Sequence, residues 1–325
     1  MNIVLLAGGV GGAKLAHGFA ALHLGPGEEA RLDFVRHDTL TVIVNTGDDF
    51  EWNSLHVSPD LDTVTYTLAG LANPDTGWGV AGDTFECLNA LQRLGLEPWF
   101  KIGDRDLATH VRRTALLRDG RTLTEATATI TRALNIRPVI LPMTDDLFRT
   151  LVDTDQGLLE FQDYFVRRQW QPAIKRIVFD GAGTARATPP VVAALRDAEA
   201  VVIAPSNPFV SIEPILAVTR PYGNGERPGR GAPVVAVSPI VGGQALKGPA
   251  AKMFAELGVE PSAYAVAQHY QGRITHFVLD QIDGDQAGAI QALGLQTLVT
   301  NTIMRSVEDR VRLAGEVAAF VIPDA

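Results

Sequence analysis

A single cysteine, Cys87, stands in a chain of 325 residues. No internal disulfide can form, so the fold must rest on a packed core. Basic excess is missing as well: 28 Lys and Arg against 37 Asp and Glu give a net charge of -9. That excludes broad electrostatic attraction to nucleic acid or to an anionic membrane, because both need a positive surface. No apolar run approaches the ~18 to 20 residues that cross a bilayer. The start MNIVLLAGG lacks the basic flank of a secretory leader, which places the protein in the cytoplasm. The sharpest absence is local. From His37 to Gln92 there is no Lys or Arg, while nine Asp and Glu fall in that window. Five of them, Asp48, Asp49, Glu51, Asp60 and Asp62, crowd into VNTGDDFEWNSLHVSPDLDT at 44–63. So many carboxylates without a neighbouring cation call for a positive partner from elsewhere.

What is present fills a large core, with 46% hydrophobic residues and β-branched runs alternating with segments of helical period. This is the pattern of an α/β fold, a Rossmann-like parallel sheet covered by helices on both faces. NIVLLAGG reads as a first strand, and AKLAHGFAALHLG as the helix after it, stopped by Gly25 and Pro26. Further strands are expected at LTVIVNTGDD, IKRIVFDG (174–181), AVVIAPSNP (200–208), PVVAVSPIVGG (233–243), THFVLD (275–280) and QTLVTN (296–301). Residues 104–170, richer in Arg and in helical spacing, predict a mainly helical insertion within one domain spanning 1–325. The Gly, Pro and Arg density of 220–233 predicts a surface loop. SVEDRVRLAGEVAAFVI predicts a closing amphipathic helix with Val307, Val311, Ala314 and Val317 on its buried face, and Cys87 in FECLNAL is read as helix core.

Ligands of open α/β sheets settle outside the carboxyl ends of the strands, so the loops there are searched for chemistry. AGGVGGAKL places Gly8, Gly9, Gly11, Gly12 and Lys14 where backbone amides at a helix start can meet phosphate. It fits neither the dinucleotide fingerprint nor the P-loop pattern. The acidic loop offers Asp48, Asp49, Asp60 and Asp62 as oxygen ligands for Mg²⁺, a hard cation that bridges substrate phosphates. Turn formation, helix capping and solvation are the alternative for each carboxylate taken singly. In KIGDRDLATH, Lys101 and Arg105 are candidates to hold an anionic substrate, and Asp104 or Asp106 to cap the following helix. Asp106 is read mainly as a surface ion-pair partner, and His110 as a satisfied helical residue. APSNP and SPIVGG offer Ser206, Asn207, Pro208, Ser238 and Gly242 to a nucleotide phosphate or base, with turn chemistry alone as the alternative. Trp52, Trp78 and Trp99 are candidates to stack on a flat heterocycle, with Trp52 foremost because it lies inside the acidic loop, and core packing is the alternative for each.

AGGVGGAKL, IVNTGDD, SPDLDTVTYTLAG, KIGDRDLATH, LTEAT, ILPMTDD, FQDYFV, APSNP and VAVSPIVGG follow one another in an order that resembles the 2-phospho-L-lactate transferases of deazaflavin coenzyme F-420 biosynthesis. The 220–233 loop has no counterpart in that motif set. The resemblance implies a Rossmann-like core with a helical insertion, a homodimer and Mg²⁺ dependence. It also implies transfer of a phospholactyl group, or its enolpyruvyl analogue, from a guanosine diphosphate-activated donor to the deazaflavin Fo, with release of GMP. Asp62 and Lys101 then correspond to positions at the Fo site and are the expected catalytic pair, with Trp52 and Arg105 beside Fo. The glycine loop, APSNP and SPIVGG correspond to the guanine nucleotide side. The alternative is a non-catalytic regulator of the same superfamily that binds a nucleotide sugar. A Rossmann dehydrogenase fits poorly, because Asn45 stands where a ribose-binding acid is expected.

Overall fold

The computed structural model describes residues 2–22, 39–220, 227–229, 231–246 and 248–321. Gly25, Pro26 and half of the 220–233 loop lie outside them. Strand β1 (Asn2–Ala7) enters helix α1 (Gly9–Leu22). Strand β2 (Thr39–Val44) leads through the hairpin β3 (Phe50–Trp52) and β4 (Leu55–Val57) into α2 (Pro59–Leu68). Helices α3 (Glu86–Arg93), α4 (Asp104–Arg118) and α5 (Leu123–Ala133) precede β5 (Val139–Pro142) and the strands β6 (Arg149–Thr154), β7 (Gly157–Glu160) and β8 (Ile174–Asp180). The second half continues with α6 (Pro189–Arg196), β9 (Ala200–Ile203), α7 (Glu213–Thr219), β10 (Val234–Val237) and the short hairpin β11 (Ile240–Val241) and β12 (Gln244–Ala245). After α8 (Ala250–Glu256), α9 (Ala263–His269) and β13 (His276–Asp280), the chain closes with α10 (Ala287–Ala292), β14 (Gln296–Thr300) and α11 (Val307–Val321).

Seven strands form one sheet in the order β14-β13-β10-β9-β1-β2-β5, and every neighbouring pair is parallel. The chain begins at β1, moves outward through β2 and β5, then returns to lay β9, β10, β13 and β14 on the other side. The direction of travel therefore reverses between β1 and β9, which opens a crevice at their carboxyl ends. Side chains alternate between two apolar layers. Val4 and Leu6 pack with Ile43, Ile203 and Ala236, whereas Ile3, Leu5 and Ala7 pack with Val42, Val44 and Val202. Burial on both faces is why these strands are apolar without interruption.

The α/β fold is as the sequence predicts, with several differences in detail. IKRIVFD is a strand, but it joins β6 and β7 in a separate antiparallel sheet. Its Lys175 and Arg176 are exposed, which a strand covered on both faces could not accommodate. Within 104–170, α4 and α5 are helical as expected, yet the same stretch supplies β5 to the main sheet and the β6–β7 hairpin. Helix α11 buries Leu313, Ala314, Val317, Ala318 and Val321, while Val307 is exposed. This helix lies so close to α1 that a Cβ on Gly18 would sit 2.1 Å from the Arg310 carbonyl oxygen. Cys87, read as helix core, is exposed on α3.

Candidate active site

The crevice is built from the loops that follow β1, β2 and β9. Ser206, just after β9, accepts a hydrogen bond from the Gly8 amide at 3.2 Å and donates to the Gly8 carbonyl at 2.8 Å, tying the two loops together. The glycines are needed for close approach. A Cβ on Gly11 would lie 2.2 Å from the Pro205 carbonyl oxygen, and one on Gly12 would lie 2.8 Å from Ser206 Oγ. Gly12 thus serves packing, while Gly8, Gly9, Gly11 and Lys14 line the cavity. The Lys14 ammonium donates to the Met304 carbonyl at 2.8 Å, joining the glycine loop to the segment after β14.

Helix α2 begins at Pro59, a residue suited to a first turn, and carries Asp60 and Asp62 in that turn, where the helix dipole favours negative charge. Asp60 Oδ1 accepts from the Gly9 amide at 2.7 Å and Oδ2 from Asn45 Nδ2 at 2.9 Å. This carboxylate therefore already occupies one amide that the sequence offers to phosphate. A Cβ on Gly8 would lie 2.5 Å from Asp60 Oδ2, so the approach requires glycine.

Each acid of the loop meets a different fate. Asp49 accepts from Ser58 Oγ at 2.7 Å and pairs with His56 Nε2 at 3.0 Å. Burial pushes its pKa up, against the opposing pull of His56 and Ser58. Asp62 is gripped through both oxygens by Arg113 of α4, with Nη1 at 3.1 Å from Oδ2 and Nη2 on Oδ1. The missing cation thus comes from a helix 51 residues further on. Asp48 and Asp60 are left without one: among the described residues neither makes an ion pair, and Asp48 Oδ1 is buried with no hydrogen-bond partner. Burial, then the charge of Asp60, raises the Asp48 carboxyl well above its usual range. Burial likewise carries Asp60 to about 6, although Asn45 and the Gly9 amide oppose the shift.

Behind Asp62 runs a buried polar chain. His110 Nδ1 lies 3.3 Å from Arg113 Nη1 and 3.6 Å from Asp62 Oδ2, and its Nε2 lies 3.3 Å from Asp106 Oδ1. Asp106 accepts in turn from the Tyr66 hydroxyl at 2.7 Å. Asp106, expected in a surface ion pair, is therefore buried, because it turns inward on α4 beside His110 and Arg113. Helix α4 is capped from elsewhere: the Asp83 carboxylate accepts from the Arg105 and Asp106 amides. Asp104 points the other way and accepts from the Glu86 and Cys87 amides at the start of α3. Ligand atoms of Asp62, Asp106 and His110 lie within 4.8 Å of one another. Arg113 already covers both oxygens of Asp62 and would repel a cation there. Asp48 and Asp60 fit a divalent ion better, as an uncompensated carboxylate pair facing the cavity.

The cavity has a volume of about 980 Å³, room enough for a sizeable ligand. Asp48, Asp60, Asp62, Lys101, Ser206, Asn207 and Ser238 all line it. Asp49, Arg105, Pro208 and Gly242 do not. The Arg105 guanidinium donates instead to the Ala81 carbonyl, and the Gly242 amide to Asp283. Trp52 is also absent from the lining, since it packs with Val57, Leu88 and Ile102 in a satellite core under the β3–β4 hairpin. Trp78, Trp99, Phe100, Phe161, Phe165 and Trp170 supply the aromatic wall. The spacing of Asp106, His110 and Arg113, four and then three apart, places all three on one face of α4 and was the available signal for the buried chain.

A doubly wound parallel sheet with a glycine loop, uncompensated carboxylates and an aromatic-walled cavity at its switch point defines a Rossmann-like enzyme of small molecules. The family model 2-phospho-L-lactate transferase CofD matches residues 3–312, so the chain belongs to that family of transferases. It is similar to the 2-phospho-L-lactate transferase of Methanopyrus kandleri, 38% identical over 323 residues that cover 99% of this chain and 98% of that one. The phosphoenolpyruvate transferase of Streptomyces avermitilis is 37% identical, with 98% of each chain covered. That of Mycobacterium avium is 41% identical over 86% of this chain and 87% of its own. Among solved structures, a UPF0052-family protein from Bacillus halodurans has a TM-score of 0.59 at 15% identity, covering 98% of both chains, a likeness of fold.

Proposed function

We propose that the chain transfers a 2-phospho-L-lactyl group, or its enolpyruvyl analogue, from a guanosine diphosphate-activated donor to the deazaflavin Fo, releasing GMP. The observation that carries this reading is the pair Asp48 and Asp60, buried without a cation at the mouth of the glycine loop, with Asp62 and Lys101 lining the same cavity. Held by Asp48 and Asp60, Mg²⁺ would neutralise diphosphate charge. The rest belongs to the chain's own groups. The hydroxyl oxygen of Fo attacks the phosphorus that bears the lactyl group, a new P–O bond forms, the bond to the bridging oxygen breaks, and GMP leaves with that oxygen. Asp62 orients the hydroxyl or takes its proton, and Lys101 offsets charge near the acceptor. Such transfer asks for in-line placement and electrostatic support more than for covalent help.

The aromatic wall suits a flat acceptor, with Trp78, Trp99 and Trp170 in place of Trp52. A homodimer belongs to the same reading and is tested by sedimentation. The nucleotide-sugar-binding regulator is disfavoured by the curated relatives, which are named as transferases. Incubation with Fo, Mg²⁺ and each guanylated donor in turn is expected to yield GMP and a phosphorylated deazaflavin. Tight nucleotide-sugar binding without product from either donor would overturn the proposal.

A further inference from the structure

Arg113, His110, Asp106 and Tyr66 have no place in the reaction as so far described, yet Arg113 occupies an expensive position beside Asp62. Arg113 is 3% exposed and Asp62 5%. Removing a guanidinium and a carboxylate from water costs several kcal/mol per ion. The surroundings are incompletely satisfied as well, since Arg113 Nε and the Nε2 of neighbouring His110 have no hydrogen-bond partner. An apolar pair of similar volume would stabilise the fold at least as well. What the ion pair provides, and an apolar pair could not, is a fixed carboxylate. Both oxygens of Asp62 face a planar fork, which sets the orientation of the carboxyl plane as a point charge would not. The fork is itself held. Nη1 reaches the His56 carbonyl at 3.4 Å and His110 Nδ1 at 3.3 Å. His110 is backed by Asp106, and Asp106 by the Tyr66 hydroxyl. Tyr66 belongs to α2, the helix that also carries Asp62, so the chain of contacts closes a loop between α2 and α4.

We propose that Arg113 is a positioning residue for the transfer, acting through Asp62, and that the Asp62 carboxylate it holds orients the acceptor hydroxyl. The inference rests on the reaction proposed above. A carboxylate held through both oxygens by a planar guanidinium is fixed in orientation and becomes a well-aimed hydrogen-bond acceptor. As the P–O bond forms and the bond to GMP breaks, the alcohol proton passes to the departing GMP phosphate or to water.

A double-mutant cycle on turnover tests this. Arg113→Met alone is expected to lower kcat about 10²-fold, the loss that goes with a misplaced reacting group, with the KM for the guanylated donor unchanged. Asp62→Asn is expected to do the same, and Asp62→Asn combined with Arg113→Met to lose no more than the worse single variant, because both remove one interaction. Multiplicative losses, or wild-type kcat in Arg113→Met, would overturn the inference. A general structural role would instead raise the donor KM and lower the melting temperature in both backgrounds. Should Arg113→Met fail to fold, Tyr66→Phe loosens the same chain from its far end. It is expected to lower kcat several-fold in the Asp62 background and not at all in Asp62→Asn, and equal losses in the two would overturn the inference. A wild-type protein that turns over no Fo removes the reaction and this inference with it, whereas wild-type turnover with an additive cycle removes the inference alone.

Discussion

Asp48, assigned to the metal in the proposed reaction, is a carboxylate held against the preference of the fold. Burial and its carboxylate neighbour Asp60 both disfavour ionisation, and the opposing hydrogen bond of Asn45 is outweighed. Asp48→Asn should therefore stabilise the metal-free protein by ~1–2 kcal/mol, read from urea midpoints. The same variant should lose the thermal shift that Mg²⁺ gives the wild type and at least 10²-fold in turnover. Glu213 behaves in the opposite sense. Burial would raise its pKa, but His269 and Arg273, the latter at 2.5 Å, prevail and hold it below the usual glutamate range. Its contribution to stability is present above the unfolded pKa and is lost as pH falls through the lower folded value. Urea midpoints measured downward from pH 6 should drop more steeply in the wild type than in Glu213→Gln, and parallel curves would contradict this.

Elements were legible in the sequence where the pattern reflects burial on both sides. The strands β1, β2, β9, β10 and β13 are largely apolar runs ending in Gly, Pro, Asn, Ser or Asp, while β14, an edge strand with Gln296 and Val299 exposed, was legible from strand propensity alone; each lies where the reading placed it. β5 was missed because VILP is short and ends in proline. β8 was assigned to the wrong sheet because strand propensity does not say which sheet a strand joins. The site divides in the same way. Residues fixed by loop position, such as Gly8, Asp60 and Ser206, are found at the crevice. Trp52 and Arg105 are not, because adjacency along the chain says little about which way a side chain turns in a hairpin or a helix. Arg113 was passed over although its face of α4 was readable, since attention to local charge hides a cation supplied from another element. Gly18 shows how tightly two elements can depend on one atom. Gly18→Ala should force α1 and α11 apart and cost about 1–3 kcal/mol, the range for overpacking, seen as a lower urea midpoint without a change in its slope.

For the whole molecule, the parallel sheet places the glycine loop, the acidic loop and the APSNP turn around one crevice. Helices α2 and α4 stand over the acidic side, and the aromatic residues of 161–170 form a wall. No helix among the described residues is long and apolar enough to cross a membrane. Ligand linkage should therefore be visible in the entire fold. GDP and Mg²⁺ together should raise the melting temperature more than the sum of their separate shifts, because each gives the other a charge to bind. Additive shifts would mean that metal and nucleotide do not meet. The most direct test places Mn²⁺ in the site with GDP and reads phosphorus hyperfine coupling by electron-nuclear double resonance. Coupling in the wild type that disappears in Asp48→Asn and Asp60→Asn is the expected result. Coupling that survives in both variants would show that the ion bridging the diphosphate is held by other residues.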